Sequence, residues 1–349
     1  MTLRAPVLLA GRACRCYRPR HDPCPPRPPM SRLGPLLALG GLLLAVLLLA
    51  QQDFSEVGAL LAAAGIGLVL AALAHIPSMA LNGHAWRLLL PRARRPGLGA
   101  MTTNVWIRES VNGLLPVARV GGEIASYRLL RGEGVAVAPA AASLMVDMAI
   151  SILSQLLFAL LGLALLAWAG AGIGWGGIAL AMLCGLALAG GFVLAQRADL
   201  LSRLARVLNA VAAGRFPAVQ AHSARIDRMT RRLWRVRGAI LGCFLWQLAG
   251  WMAGALEIWV ALWFLGHPVG LAEALAIEAL IQAVSSAAFL VPGALGLQEA
   301  GFLGLGMLLG LPAEVAAALA IARRIRDLVI FLPGLLAWVW AERRMVQEA

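Results

Sequence analysis

The chain has 349 residues, of which 61% are hydrophobic and only 13% charged, and its mean hydropathy is +0.81. Ordinary globular chains are about half apolar and a quarter charged, so a water-soluble catalytic domain is excluded and lipid is the solvent for most of this polypeptide. The net charge of +13 comes entirely from Arg, with no Lys, and the Arg residues fall between apolar segments. Positive-inside topology produces that distribution, which argues against nucleic acid as a partner.

Residues 1–29 are crowded with Pro and Arg and hold Cys14, Cys16, Cys24 and His21 at a spacing that fits no zinc pattern. Met30-Ser31-Arg32 before an apolar run is itself a normal start for a membrane protein, so the expectation is a disordered or mis-started leader without metal. A spanning helix needs about 20 mostly apolar residues. Six stretches qualify: Leu33–Ala50, Val57–Leu81, Val135–Trp168, Trp175–Ala195, Ala239–Leu265 and Pro312–Trp340.

Arg placement orients them. Arg32, the group Arg87, Arg92, Arg94 and Arg95, and the closing pair Arg343 and Arg344 all belong on the cytoplasmic side. The connection 197–237 carries ten Arg against Asp199 and Asp227 and belongs there too, as a topology determinant that touches anionic headgroups or as a docking site for a cytosolic partner. Both termini are then cytoplasmic, in a bacterial inner membrane.

Two segments resist a simple crossing. Residues 101–131 are polar and broken by Gly, and residues 271–311 hold two apolar arms around Val-Pro-Gly-Ala-Leu-Gly-Leu-Gln-Glu. The Arg pattern requires each to enter and leave on the same side, as re-entrant hairpins from opposite faces. The breaks match: Pro116 to Glu123 and Pro292 to Glu299 each run from Pro through a Gly-containing turn to a Glu seven residues on. Each Glu is followed 24 positions later by a charge in an apolar helix, Asp147 or Arg323. The fold class read from this is an all-α polytopic membrane protein. It has six spanning helices plus two opposed re-entrant hairpins in an inverted repeat, the first repeat at 30–170 and the second at 171–349. Unwound backbone is tolerated in a bilayer only beside protein or a watery cavity. The breaks at Pro116, Gly121, Gly122, Pro292, Gly293 and Gly296 should therefore line one.

Asp147 shares a stripe with Ser143, Ser151 and Ser154 that reads as cavity lining, with a hydrogen-bonded helix seam as the alternative. Arg323, Arg324, Arg326 and Asp327 lie too close to the terminal basic pair to precede a full span, so they sit at depth, at a cost on the order of 10 kcal/mol if they faced lipid. An Arg323–Asp327 pair would neutralise part of this. The rest would meet Glu123, Glu299, Asp147 or an anionic ligand. The candidate substrate-binding residues are Arg119, Glu123, Asp147, Glu299, Arg323, Arg324 and Arg326. Glu257, Glu278, Gln282 and Gln155 line the cavity or an interface, His75, His84 and His267 fall near span ends, and Trp residues form an interfacial belt. No catalytic, cofactor or metal motif is present in the sequence, and the expectation is a protein that is not an enzyme.

Trp106 to Glu123, with Gln282-Ala283-Val284 and Val291 to Glu299, resembles the flippase-like transmembrane domain of lysylphosphatidylglycerol synthases, and most closely a stand-alone branch associated with hopanoid biosynthesis. The resemblance runs from Met30 to Trp340. It implies a lipid-translocating or lipid-handling role, with a hopanoid or phospholipid as partner and a link to hopanoid-biosynthesis proteins. It does not imply aminoacyl transfer, because the soluble transferase domain of the full synthases has no counterpart here. A non-transporting scaffold and an intramembrane transferase are the rival expectations.

Overall fold

The computed structural model describes residues 33–115, 121–168, 217–288 and 291–347, with a few isolated positions between 176 and 194. Every regular element among them is helical, as a backbone in lipid requires if its amides and carbonyls are to pair within their own segment.

The first half begins with α1, Leu33–Ala50, and α2, Phe54–Ala64, whose start is capped by Asp53: its Oδ1 accepts from the amides of Ser55 at 2.9 Å and Glu56 at 3.3 Å. Gly65 then turns the chain at φ +47°, a conformation that favours glycine, into α3, Gly67–Leu73, and α4, Ile76–Arg87. The expected span Val57–Leu81 is therefore divided at Gly65 and again at His75. The stretch apolar and long enough to cross is instead Gly67–Arg87. Next come α5, Leu98–Leu114, α6, Gly121–Gly132, and the 32-residue α7, Val137–Trp168.

The second half contains α8, Pro217–Arg235, α9, Arg237–Phe264, α10, Leu271–Ala287, a 3₁₀ turn at Pro292–Ala294, α11, Leu297–Leu308, and α12, Ala313–Arg326. A π-helical turn, Asp327–Phe331, joins α12 to α13, Leu332–Gln347. Among the described residues, three helical stretches have the length and hydropathy of a membrane crossing: Gly67–Arg87, Val137–Trp168 and Arg237–Phe264. The pair Leu42–Ala50 and Ser55–Ala64, bent by 100°, would supply a fourth. The expected span at 175–195 and the repeat boundary at 170/171 lie outside the described residues, as does the leader.

Packing is inverted relative to a soluble protein. Leu43, Leu47, Leu241, Leu336 and Trp340 face outward, while Asp147, Gln247, Glu257, Glu278 and Arg323 are buried. That is the arrangement a bilayer selects, with ionisable groups turned to the bundle interior. Small residues bring the helices close: Val315 to Ala320 of α12 are all buried, and a methyl at Gly162 would meet Ala279 at 2.6 Å. The halves interlock, since α9 packs on α4 and α7, and α12 packs on α2 and α3.

Candidate functional site

Each sequence break separates two helical arms. Between α5 and α6, the Asn112 side chain accepts from the Gly122 amide at 2.9 Å and so caps the start of α6. Gly122 is required by close approach, because a Cβ there would fall 2.4 Å from the carbonyl oxygen of Arg108. Between α10 and α11, Gly293 and Gly296 have φ of +60° and +77°, and Ala294 is held at +48°, a strained value for a residue with a side chain. Glu299 reaches back to accept from the Gly296 amide at 2.7 Å. The two breaks meet: a Cβ at Gly293 would sit 3.2 Å from the carbonyl oxygen of Gly113.

Around this meeting point lies a cavity of about 380 Å³. Gly113, Leu115 and Glu123 line it from the first break, and Val291, Gly293, Ala294 and Gln298 from the second. The remaining wall is rich in amides and hydroxyls, with Ser151 and Gln155 on α7 facing Gln282, Ser285 and Ser286 on α10. Gln155 Nε2 donates to the Gln282 carbonyl at 3.0 Å and to Ser286 Oγ at 2.5 Å.

One ion network belongs to the first break. Arg108 Nη1 donates to Asp147 Oδ2 at 2.8 Å, lies 3.9 Å from Glu123 Oε2, and places its guanidinium 5.1 Å above the Trp86 ring. Asp147 Oδ1 accepts from Gln247 Nε2 at 2.7 Å. The serine stripe on α7 divides accordingly. Ser143 and Ser154 accept from the indoles of Trp86 and Trp251 and are seam contacts, whereas Asp147 and Ser151 line the cavity.

A second network surrounds the Arg cluster. Arg323 Nη1 lies 3.2 Å from Glu257, and its Nη2 donates to Glu278. Arg324 donates to Glu299 at 2.8 Å, to the Gly293 carbonyl at 3.0 Å and to Asp327 at 3.2 Å, tying α12 to the second break. Arg326 holds Asp327 at 2.6 Å and Glu257 at 3.3 Å. The expected Arg323–Asp327 pair does not form. Asp327 opens the π turn and is taken by Arg324 and Arg326, while Arg323 points between α9 and α10, where two carboxylates wait.

Of the predicted residues, Glu123, Asp147, Arg326 and Gly293 line the cavity. Glu299, Arg323 and Arg324 stand behind its wall, and Gly121, Gly122 and Gly296 shape the breaks. Pro116 and Arg119 lie outside the described residues, as do the surroundings of Pro292. The sequence alone does not single out Arg108, Glu109, Gln247 or His75 as site residues. His75 reads as a span-end residue, yet it is buried between Glu109, 3.2 Å from Nε2, and Glu257, 3.3 Å from Nδ1. The sequence carries no sign of these two partners, only a His two residues before Pro77 within an apolar run.

Among the described residues no group of three or more His, Cys, Asp or Glu has the geometry of a metal site. Comparison with curated proteins yields no match, and comparison with solved structures yields none. The family model described as the lysylphosphatidylglycerol synthase TM region matches residues 33–334. With more than half its length matched, and with helices long and apolar enough to cross a membrane, the chain belongs to that family of multi-pass, lipid-associated membrane proteins.

Proposed function

We propose that this protein is a flippase-like lipid transporter that is not an enzyme, moving or handling a hopanoid or other polar lipid through the cavity between its two breaks. The observation that carries the reading is a cavity lined from both breaks, its wall set with amide, hydroxyl and charged side chains among apolar ones, in a bundle whose outer faces are apolar. A volume of about 380 Å³ suits a headgroup and leaves the tails to the bilayer. In this reading the arms α5–α6 and α10–α11 are opposed re-entrant hairpins in an inverted repeat, completed by six spans. Both termini are cytoplasmic, in a bacterial inner membrane. Glu123 and Asp147 face the headgroup, and Arg326 contributes from the far wall.

The Arg residues are already engaged by carboxylates, which weakens their use as a bare phosphate clamp and suits a headgroup bound through amides and hydroxyls as well as charge. A second reading, a membrane scaffold for hopanoid-biosynthesis enzymes, is favoured by one feature. Arg225, Arg228, Arg232 and Arg235 form an exposed stripe along α8.

The test is reconstitution into vesicles with tail-labelled phosphatidylglycerol or hopanoid tracers, scoring movement between leaflets. Wild type should move at least one tracer, and Glu123→Ala and Ser151→Phe, which respectively remove a wall charge and fill the cavity, should slow it several-fold. A scaffold would show no movement and would lose its partners when 217–235 is replaced. Chemical turnover of the tracer would instead indicate an intramembrane transferase.

A further inference from the structure

Both ring nitrogens of His75 face carboxylate oxygens, Nε2 at 3.2 Å from Glu109 and Nδ1 at 3.3 Å from Glu257. A neutral imidazole has one N–H and one lone pair. It therefore satisfies one of these carboxylates and turns its lone pair on the other. For both contacts to attract, an additional proton must reside in the bridge, either on the ring or on one of the carboxyls. Burial makes this demanding, because His75 and Glu257 are almost wholly enclosed and a low local dielectric strengthens any repulsive contact between them.

The neighbours sharpen the requirement. Arg326 Nη1 approaches the ring to 3.5 Å and Phe331 packs edge-on to it from the π turn. Asp327 is occupied by Arg324 and Arg326, Glu257 is shared with Arg323 and Arg326, and Glu278 is held by Arg323. Arg108, next to Glu109 on α5, is committed to Asp147. Each of these neighbouring charges therefore has its own partner, and the group that joins Glu109 to Glu257 is the ring of His75. The three residues sit on different elements: Glu109 on the α5 arm before the first break, His75 at the break between α3 and α4, and Glu257 in the last third of α9. Glu109 is one quarter exposed and, like His75, lines the cavity.

We propose that Glu109–His75–Glu257 is a proton-binding bridge that couples movement of the α5 arm, and with it the proposed lipid passage, to protonation from the cavity. In the closed state the imidazolium donates from Nε2 to Glu109 and from Nδ1 to Glu257. For release, the Nε2 proton passes to the Glu109 carboxylate and from there to cavity water. This leaves a neutral ring that still donates to Glu257 from Nδ1. The Nε2 lone pair then opposes the Glu109 carboxylate, the contact becomes repulsive, and the α5 arm is freed from α9. Uptake reverses each step, and no other group changes its charge.

This inference rests on the lipid-moving reading, and the experiment separates the two. The full chain is reconstituted in phosphatidylethanolamine–phosphatidylglycerol vesicles carrying a tail-labelled phosphatidylglycerol tracer, and a pH gradient of one unit is imposed. Strict coupling of one proton to one lipid drives the leaflet ratio of tracer from one toward about ten, and His75→Gln and Glu109→Gln return it to one. Tracer that equilibrates evenly despite the gradient overturns the coupling while leaving lipid movement intact. Tracer that does not move at all overturns both. A measurement on the unaltered protein guards against misfolded variants. In ¹⁵N-histidine spectra His75 should carry protons on both nitrogens, or one opposite a protonated carboxyl, until it releases a proton on alkaline titration. A neutral ring flanked by two ionised carboxylates across the range overturns the bridge.

Discussion

The two halves of the chain place an ion pair at the same point with opposite sign. Asp147 and Arg323 each follow the Glu of their break by 24 residues, and each reaches the arm that precedes its own break, Asp147 to Arg108 and Arg323 to Glu278. In the first half the anion sits on the later helix, and in the second half the cation does. What the two halves share is therefore a lock between arm and helix, of opposite polarity in each. The locks also differ in exposure. The difference lies in the arginines, Arg323 being 1% and Arg108 12% exposed, since Asp147 and Glu278, 0% and 1% exposed, both belong to the cavity wall. The second half reads as the anchor and the first as the side that answers to what the cavity holds.

The largest expected effect follows from that enclosure. Arg323→Ala leaves the buried Glu278 without its cation and takes one of two arginines from Glu257, and removing one member of a buried pair costs about 3–5 kcal/mol. Thermal unfolding in detergent should show this variant as less stable than either Asp147→Asn or Asn112→Ala. Arg323→Met combined with Glu278→Met should regain part of the loss, since an apolar pair of similar volume no longer strands a charge. If Arg323→Ala unfolds no earlier than Asp147→Asn, the distinction between anchor and gate fails.

Much of this architecture is legible in the sequence because it rests on strong local signals. The Pro–Gly–Glu breaks announce unwound backbone, and charges within apolar runs announce an inward face, so the approach of the two breaks and the burial of Asp147 and Arg323 follow from chemistry alone. Pairing does not follow. Arg323 and Asp327 sit four apart, the spacing at which helical side chains meet, yet Arg323 turns to α9 and α10 because tertiary carboxylates outcompete a neighbour already held by Arg324 and Arg326. The π turn at Asp327–Phe331 leaves no compositional trace. His75 escapes notice for a similar reason: a single His near a Pro carries no sign of two Glu brought to it from 34 and 182 residues away. Long-range partnership is a property of helix packing, which hydropathy and spacing do not encode.

The first-half lock should yield less. Asp147→Asn removes the charge facing Arg108 but keeps an oxygen in place to accept from it. The new amide can still pair with Gln247 once that side chain presents its own oxygen. Only the charged component is lost, and hydrogen bonds to charged groups contribute about 1.5–3 kcal/mol, so the destabilisation should fall at or below the lower end of that range. Because Arg108 is more exposed than Arg323 and itself lines the cavity, tracer movement should change more than the unfolding temperature does, the reverse of the pattern expected for Arg323→Ala. Equal losses of stability and movement in Asp147→Asn would place it with the anchor.

The smallest effect concerns how each break starts its second arm. The α6 start takes its cap from Asn112, a residue across the break, whereas the α11 start takes its cap from Glu299 within its own first turn. Losing a side-chain cap costs about 0.5–2 kcal/mol. Asn112→Ala should therefore lower stability by about 1 kcal/mol and raise hydrogen exchange at Gly121, Gly122 and Glu123 while leaving Leu297–Glu299 unchanged. Asn112→Asp restores the acceptor and should return protection. Because the Asn112 cap also ties α5 to α6, its loss uncouples the two arms of the first break, whereas the α11 cap is self-contained and retains its Arg324 tie to α12. Exchange that rises equally at both starts would mean the two breaks open together, and the first half would lose its claim to move on its own.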